Sequence, residues 1–222
     1  MLINKILKEI ETFTQVIIDI GLSVEERWPI RNGVKIIWQN MEDISTALKK
    51  IPYEEKYYKL YDKHNYNIKM LDGALIQLLY EFNQKGNSLI SHRLAFFPSP
   101  SVKRYDSEPE EYEKNYFGSS EFHDLIEKNT TAFPIRFDYC KSSKLFKEIN
   151  HPYSHVHFGE YEYCRIPVAS PLTPNQFFSF IIRNFYNYAI REKGLVLANS
   201  RFQFDFQTIT DNEKKILHFS YL

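Results

Sequence analysis

The residues of this chain that are best suited to chemistry lie in two short stretches. Three of its seven histidines, His151, His155 and His157, fall within seven consecutive positions. Arg136 and Asp138 stand two residues apart in an earlier stretch where polar and apolar residues alternate. Because side chains along a strand point to alternate faces, Arg136 and Asp138 share one face of their strand, and His155 and His157 share one face of theirs. If the two strands pair, one surface of the sheet carries a guanidinium, a carboxylate and two imidazoles.

This combination of groups is suited to acid–base chemistry on a phosphodiester. RNA carries its own nucleophile, the 2′-hydroxyl, so its cleavage requires a base, an acid and positive charge near the phosphorus. Two imidazoles whose pKa lies near neutrality can serve as base and acid. Arg136 or Arg93 would stabilise the developing charge, and Asp138 would orient one imidazole. This interpretation assigns catalysis to His155, His157, Arg136 and Asp138 and requires no metal.

The same residues allow a second interpretation, a site for a divalent metal ion. Two histidines and one carboxylate with open coordination positions form a common metal site. His155, His157 and Asp138 would supply the ligands, with His151 or His92 nearby. An arginine beside a dication is electrostatically unfavourable, so the metal-free interpretation is preferred and no metal ligand is assigned.

A second group of residues is assigned to binding rather than catalysis. His92 and Arg93 are neighbours on one strand and point to opposite faces, so at most one of them can join the site. Each group also has a structural interpretation, because an arginine–aspartate pair can tie loops together and a histidine can bond a neighbouring carbonyl. The assigned binding residues are Arg93, His92, His151 and Arg165.

The N-terminal part of the chain, residues 1–64, is predicted to be mainly helical. Apolar residues recur at helical spacing over 2–20, and Gly21 fits the position just after a helix. A short strand is predicted over 34–38. A further helix begins near Pro52, and we interpret its tyrosine-rich stripe as core rather than as a stacking surface.

Residues 65–222 are predicted to form a core of sheet and helix. Asp72-Gly73 is a strong hairpin signal, so we expect strands on both sides of it. Thr173-Pro174-Asn175-Gln176 combines an N-cap, a first-turn proline and a capping-box glutamine, and predicts a helix over 174–193. We expect this helix to bury Phe177, Ile181 and Phe185. The strands are expected at 66–82, 89–97, 134–139 and 155–168.

These elements predict an α+β fold in one domain, residues 1–222. Successive hairpins give an antiparallel β-sheet, with a long C-terminal helix packed on one face and an N-terminal helical extension. A sheet made mostly of parallel strands would contradict this prediction.

The composition limits the classes of partner. Lys+Arg and Asp+Glu both number 28, so any nucleic acid must be met by a local patch. Residues 134–204 hold nine basic and five acidic residues, whereas 101–133 hold four basic and eight acidic ones. Cys140 and Cys164 suggest neither a disulfide framework nor a zinc cluster, and we expect both to be reduced. No secretory leader or membrane span is visible, which predicts a soluble cytoplasmic protein without a membrane partner.

Six stretches of the sequence, spread over most of residues 65–190, carry a resemblance to known proteins. They are Leu71-Asp-Gly-Ala-Leu-Ile-Gln, His92-Arg-Leu-Ala-Phe-Phe-Pro-Ser-Pro, Pro134-Ile-Arg-Phe-Asp-Tyr, His151-Pro-Tyr-Ser-His155, Cys164-Arg-Ile-Pro, and Pro171-Leu-Thr-Pro through Arg183-Asn-Phe-Tyr186. In these stretches the chain resembles a bacterial family known as domain-of-unknown-function family 2290. The resemblance names no reaction.

A looser, short-motif resemblance is to TumE-like toxins. These share the order of a D-G strand, an R-x-D strand, an H-P-x-x-H-x-H stretch and a final helix, and they have no counterpart of residues 1–64. This resemblance implies a role in a toxin–antitoxin or phage-defence system. It leaves two hypotheses open, a nuclease acting on nucleic acid and a non-catalytic module that binds a cognate partner protein.

Overall fold

A computed structural model describes residues 1–41, 51–100, 133–191, 194–195 and 202–220. Within these residues, nine strands form one sheet in which every pairing between strands is antiparallel. The main order is β1-β4-β5-β6-β7-β8-β9, and the β2–β3 hairpin joins β5 through β3. The strands are β1 Ser23–Glu26, β2 Pro29–Asn32, β3 Lys35–Trp38, β4 Ile68–Met70, β5 Leu75–Phe82, β6 Leu89–Phe97, β7 Ile135–Cys140, β8 Ser154–Phe158 and β9 Ile166–Pro167.

The predicted hairpins of the sheet are present. Gly73, at a φ of 83°, closes the turn between β4 and β5, a conformation that glycine adopts without strain. The α+β class with an antiparallel sheet is therefore confirmed. The strand predicted over 155–168 is instead two short strands, because a loop at 159–165 separates β8 from β9.

Four α-helices are present in the described residues: α1 Leu2–Asp19, α2 Tyr53–Asp62, α3 Pro174–Phe185 and α4 Asn187–Arg191. A 3-10 helix spans Glu213–Lys215. The predicted capping box is present at Thr173 and Gln176. Between residues 1 and 64, three short strands accompany the two helices, and they join the same sheet as the rest of the chain.

The long helix predicted over 174–193 is shorter than expected. It is interrupted at Tyr186, whose hydroxyl donates to the two carboxylate oxygens of Asp72 at 2.9 and 3.0 Å. This bond to the β4–β5 turn anchors the point of interruption, an effect of tertiary structure that helical spacing does not show. Residues 192–193, the end of the predicted helix, lie outside the described residues, as does most of the acidic stretch, 101–132.

Helices α1 and α3 pack together on one face of the sheet. The Phe13 and Phe178 rings stack with centroids 4.4 Å apart, and the Phe137 ring of β7 meets Phe177 edge-on. Phe177 and Ile181 are fully buried as predicted, while Phe185 is only half-buried. We call this surface of the sheet the helix-covered face.

Helix α2 covers one end of the opposite face. Its Tyr57 and Leu60 pack on Leu75, Ala95 and Phe97, which confirms that the tyrosine stripe is core. Beyond α2, this second face carries the polar residues of β6, β7 and β8. We call it the polar face.

Candidate functional site

The register of three neighbouring strands aligns the predicted catalytic residues on the polar face. Asp138 of β7 lies opposite Arg93 of β6 on one side and opposite His155 of β8 on the other. In the adjacent row, Arg136 lies opposite His157. The predicted pairing of the two strands is therefore present. We refer to Arg93, Arg136, Asp138, His155 and His157 as the site cluster.

Asp138 lies between two guanidinium groups. The Nε atom of Arg93 donates to Oδ1 at 3.1 Å, and the Nε atom of Arg136 donates to Oδ2 at 2.6 Å. Burial by itself would raise the pKa of this carboxyl group, but the charges of Arg136 and Arg93 outweigh it and hold the pKa well below its usual range. Asp138 is consequently ionised at neutral pH.

The His155 ring is oriented by the backbone. Its Nδ1 lies 2.8 Å from the carbonyl oxygen of Pro152. A carbonyl can only accept a hydrogen bond, so Nδ1 carries the proton and Nε2 presents its lone pair. The orienting role predicted for Asp138 thus belongs to Pro152 in the case of His155. Asp138 is instead near His157, whose Nε2 lies 3.8 Å from Oδ2.

Both imidazoles of the cluster are neutral at pH 7. His155 and His157 are only 4% and 8% exposed. Burial lowers the pKa of His155 to about 4. Burial, followed by the charge of Arg136, lowers the pKa of His157 to about 3. The expectation of two imidazoles that titrate near neutrality is therefore wrong, because the sequence does not reveal how deeply the two rings are buried.

The assigned binding residues separate into two groups. Arg93 belongs to the cluster, and the ring of His151 lies 4.9 Å from that of His155. His92, by contrast, points to the helix-covered face, where its Nε2 accepts the backbone N–H of Leu172 at 3.1 Å. His92 thus makes a structural contact on the face of the sheet opposite the site cluster.

Arg165 lies close enough to influence the histidines. Burial is the main cause of the lowered pKa of His155 and His157, and the positive charge of Arg165 adds to it. The Nε atom of Arg165 is buried and has no hydrogen-bond partner among the described residues. A buried donor without a partner is uncommon in folded proteins.

A hydrogen bond from Ile149, just before the histidine stretch, to Glu213 was not predicted from the sequence. Ile149 has a φ of 68°, which is unusual for a β-branched residue, and its N–H donates to Oε1 of Glu213 at 3.1 Å. Glu213 also forms a reciprocal pair of bonds with Thr210. The Thr-x-x-Glu spacing of a capping box was a visible signal for this pair, but nothing in it indicates a contact with residue 149.

The cluster also contains a set of donors that fits a divalent metal ion. One ligand atom each from Asp138, His155 and His157 lies within 4.8 Å of the others. Neutral imidazoles and an ionised carboxylate are the protonation states that a metal requires, and the bond from His155 to Pro152 leaves Nε2 for coordination. However, each oxygen of Asp138 already accepts a hydrogen bond from an arginine. The arrangement is therefore compatible with both the metal-free and the metal-dependent interpretation, and the two arginine hydrogen bonds favour the metal-free one.

Comparisons with known proteins give the chain a family. No curated protein and no solved structure matches it. Among the helices in the described part of the chain, none has the length and apolar character that a membrane span requires. One family model matches residues 22–221, and its description reads "uncharacterized conserved protein". The short-motif resemblance to TumE-like toxins stays a prediction. Because the match covers nearly the whole chain, the protein belongs to the DUF2290 family.

Proposed function

We propose that this protein cleaves RNA by acid–base chemistry without a metal ion, in a bacterial toxin–antitoxin or phage-defence system. The observation that carries the proposal is the pair of adjacent rows on the polar face, Arg93–Asp138–His155 and Arg136–His157. They bring two imidazoles and two guanidiniums together around one carboxylate. Cleavage of a phosphodiester needs a base, an acid and positive charge at the same place.

His155 is the proposed general base. Its Nε2 is unprotonated at neutral pH and points away from the carbonyl that holds the ring. It can therefore accept the proton of a 2′-hydroxyl as that oxygen attacks the phosphorus. Because the backbone bond holds the imidazole in one orientation, the ring itself does not need to turn before it reacts.

The arginines of the cluster are proposed to bind the phosphate. Arg93 and Arg136 use their Nε atoms on Asp138, and their side chains are 43% and 34% exposed. The carboxylate thus fixes the position of both guanidiniums at the surface of the sheet. Guanidiniums fixed in this way stabilise the charge that develops on the phosphorane.

His157 is the proposed general acid for the leaving 5′-oxygen. It is neutral in the free protein, but an anionic phosphate bound beside it raises its pKa, because a nearby negative charge favours the protonated form. The proton is then delivered as the P–O bond breaks. The protonated state of His157 is therefore coupled to substrate binding.

The experiment is cleavage of a single-stranded RNA by purified protein and by variants that keep the shape of the site. His155→Asn retains a donor near the Nδ1 position, and His157→Gln retains one near Nε2, but neither can exchange a proton at neutral pH. We expect each variant to lose at least 10²-fold in rate. His218→Ala, which changes a histidine outside the cluster, should cleave as fast as the wild-type protein.

Toxicity in cells provides the second readout. Expression of the wild-type chain should stop growth, and expression of His155→Asn should not. If the wild-type protein is harmless and cleaves no RNA, the nuclease proposal is wrong and the partner-binding module is favoured.

A metal-dependent hydrolase is the second candidate. It is favoured by the convergence of Asp138, His155 and His157 within 4.8 Å. It ranks lower because the two arginines already occupy both oxygens of Asp138 and add positive charge beside the ion. Activity that is abolished by a chelator and restored by a divalent ion would make it the better account.

A further inference from the structure

The loop between β8 and β9 presents two tyrosines to solvent, at the end of the strand that carries His155 and His157. It begins two residues after His157 and ends at Arg165. Tyr161 and Tyr163 are 78% and 83% exposed. Such exposure is unusual for large aromatic side chains, which are commonly buried or at interfaces.

The loop that carries these rings is anchored to its surroundings. The N–H of Gly159 donates to the carbonyl oxygen of Pro134 at 2.7 Å, which ties the start of the loop to the residue before β7. Within the loop, the N–H of Arg165 donates to the carbonyl oxygen of Tyr163 at 2.9 Å. Glu160 forms an ion pair with Lys56 of α2. The loop that carries the exposed rings is thus held to its surroundings at Gly159 and Glu160.

The Tyr161 ring packs near Gly159, the first residue after β8. A Cβ atom built on Gly159 would lie 3.4 Å from the Tyr161 ring and 3.8 Å from Cβ of Phe133, which is itself 47% exposed. Gly159 follows His157 by two residues, and its φ of 68° turns the chain out of β8 at this point. The Tyr161 ring therefore lies against the end of the strand that carries His155 and His157.

Proteins commonly bind single-stranded nucleic acid with aromatic rings that lie next to cationic side chains. Bases stack on the rings while the cationic groups hold the backbone, and only unpaired bases have free faces. On the basis of the function proposed above, we propose that the substrate is single-stranded RNA, and that Tyr161 and Tyr163 stack on bases adjacent to the phosphate held by the site cluster. Duplex RNA cannot place a base on either ring.

The test is the affinity of the protein for a fluorescein-labelled 12-nucleotide RNA. The 2′-hydroxyls of this RNA are capped as 2′-O-methyl groups, so that it cannot be cleaved. Tyr161→Ala with Tyr163→Ala should weaken binding by about 5- to 100-fold in fluorescence anisotropy. Tyr161→Phe with Tyr163→Phe should bind like the wild-type protein, because the rings are kept. Tyr58→Ala, which removes an exposed tyrosine of α2, is the matched control and should have no effect.

A duplex of the same sequence and an abasic strand of the same length complete the experiment. Both should bind at least several-fold more weakly than the single strand, and the tyrosine changes should not weaken them further. Equal affinity of the double alanine variant and the wild-type protein for the single strand would overturn the inference. If that variant also cleaves RNA normally while His155→Asn does not, the proposed function stands without it. If the wild-type protein binds none of the probes, the inference is wrong, and if it also cleaves no RNA, the proposed function is wrong as well.

Discussion

The Nδ1 atom of His155 donates to the carbonyl oxygen of Pro152, three residues earlier, at 2.8 Å. The Pro152 ring restricts the backbone at the start of β8, and the carbonyl that precedes the strand then selects one tautomer of the imidazole. The His-Pro-x-x-His spacing of the sequence thus has a local structural meaning. It fixes the second histidine so that its free nitrogen faces the polar side of the sheet.

Replacement of Asp138 tests the electrostatic core of the cluster. Asp138→Asn leaves Arg93 and Arg136 without their shared anion, and we expect it to lower the free energy of unfolding by about 1–3 kcal/mol. Urea denaturation at pH 7 measures this loss. Asp205→Asn, at an exposed carboxylate, is the control and should change the free energy by less than about 0.5 kcal/mol. Equal free energies of unfolding for the two variants would show that the ion pairs of Asp138 with Arg93 and Arg136 do not contribute to stability.

Stability should increase with pH between about 4 and 6.5. The pKa of His92 and of His155 is about 4 and that of His157 about 3, each lowered chiefly by burial, whereas a histidine in the unfolded chain titrates near 6.5. In that window the unfolded chain binds more protons than the folded one, so the free energy of unfolding falls as the pH falls. Below pH 4 the protonation of Asp138, whose pKa is held low, removes further stability.

Urea denaturation at several pH values measures this slope. His92→Gln removes one of the buried imidazoles, on the face of the sheet opposite the proposed chemistry, and we expect a shallower dependence on pH. A free energy that is constant from pH 4.5 to 7.5 would mean that these histidines titrate normally.

The hydrogen bond between Ile149 and Glu213 can be tested by its effect on stability, apart from the proposed catalysis. Glu213→Ala removes the acceptor of the Ile149 N–H, and we expect a loss of about 1–3 kcal/mol. Ile149→Gly relieves the left-handed conformation and should be neutral or stabilising by up to about 1 kcal/mol. Ile149→Val, which keeps the β-branch, is the matched control. Thermal denaturation compares the three, and destabilisation by Ile149→Gly would show that the side chain matters more than the backbone.

Much of the sheet could be predicted from the sequence because its signals are local. Alternation placed Arg136 with Asp138 and His155 with His157, and the Asp72-Gly73 turn identified the β4–β5 hairpin. The strand register, which brings Arg93 to Asp138, depends on contacts between residues 45 positions apart. No periodicity in the sequence reports such contacts.

The parts that could not be predicted depend on tertiary burial. His92 and Arg93 are equivalent in the sequence, and only the location of the helices decides which of them faces the core. The interruption of α3 at Tyr186 likewise depends on Asp72, 114 residues away. The low pKa of the two cluster histidines follows from burial, which residue types alone do not determine.

The dependence of kcat/KM on pH, measured with the single-stranded RNA in the presence of EDTA, tests the central claim most directly. Only the protonated form of His157 can act as the acid, and its pKa in the free protein is about 3. Because no metal ion takes part in the proposed reaction, activity should persist in EDTA. Because the protonated fraction of His157 falls tenfold per pH unit above its pKa, kcat/KM should fall about tenfold for each pH unit between pH 5.5 and 8. An activity that is lost in EDTA, or that rises with pH as a metal-bound water ionises, would contradict metal-free catalysis by His155 and His157.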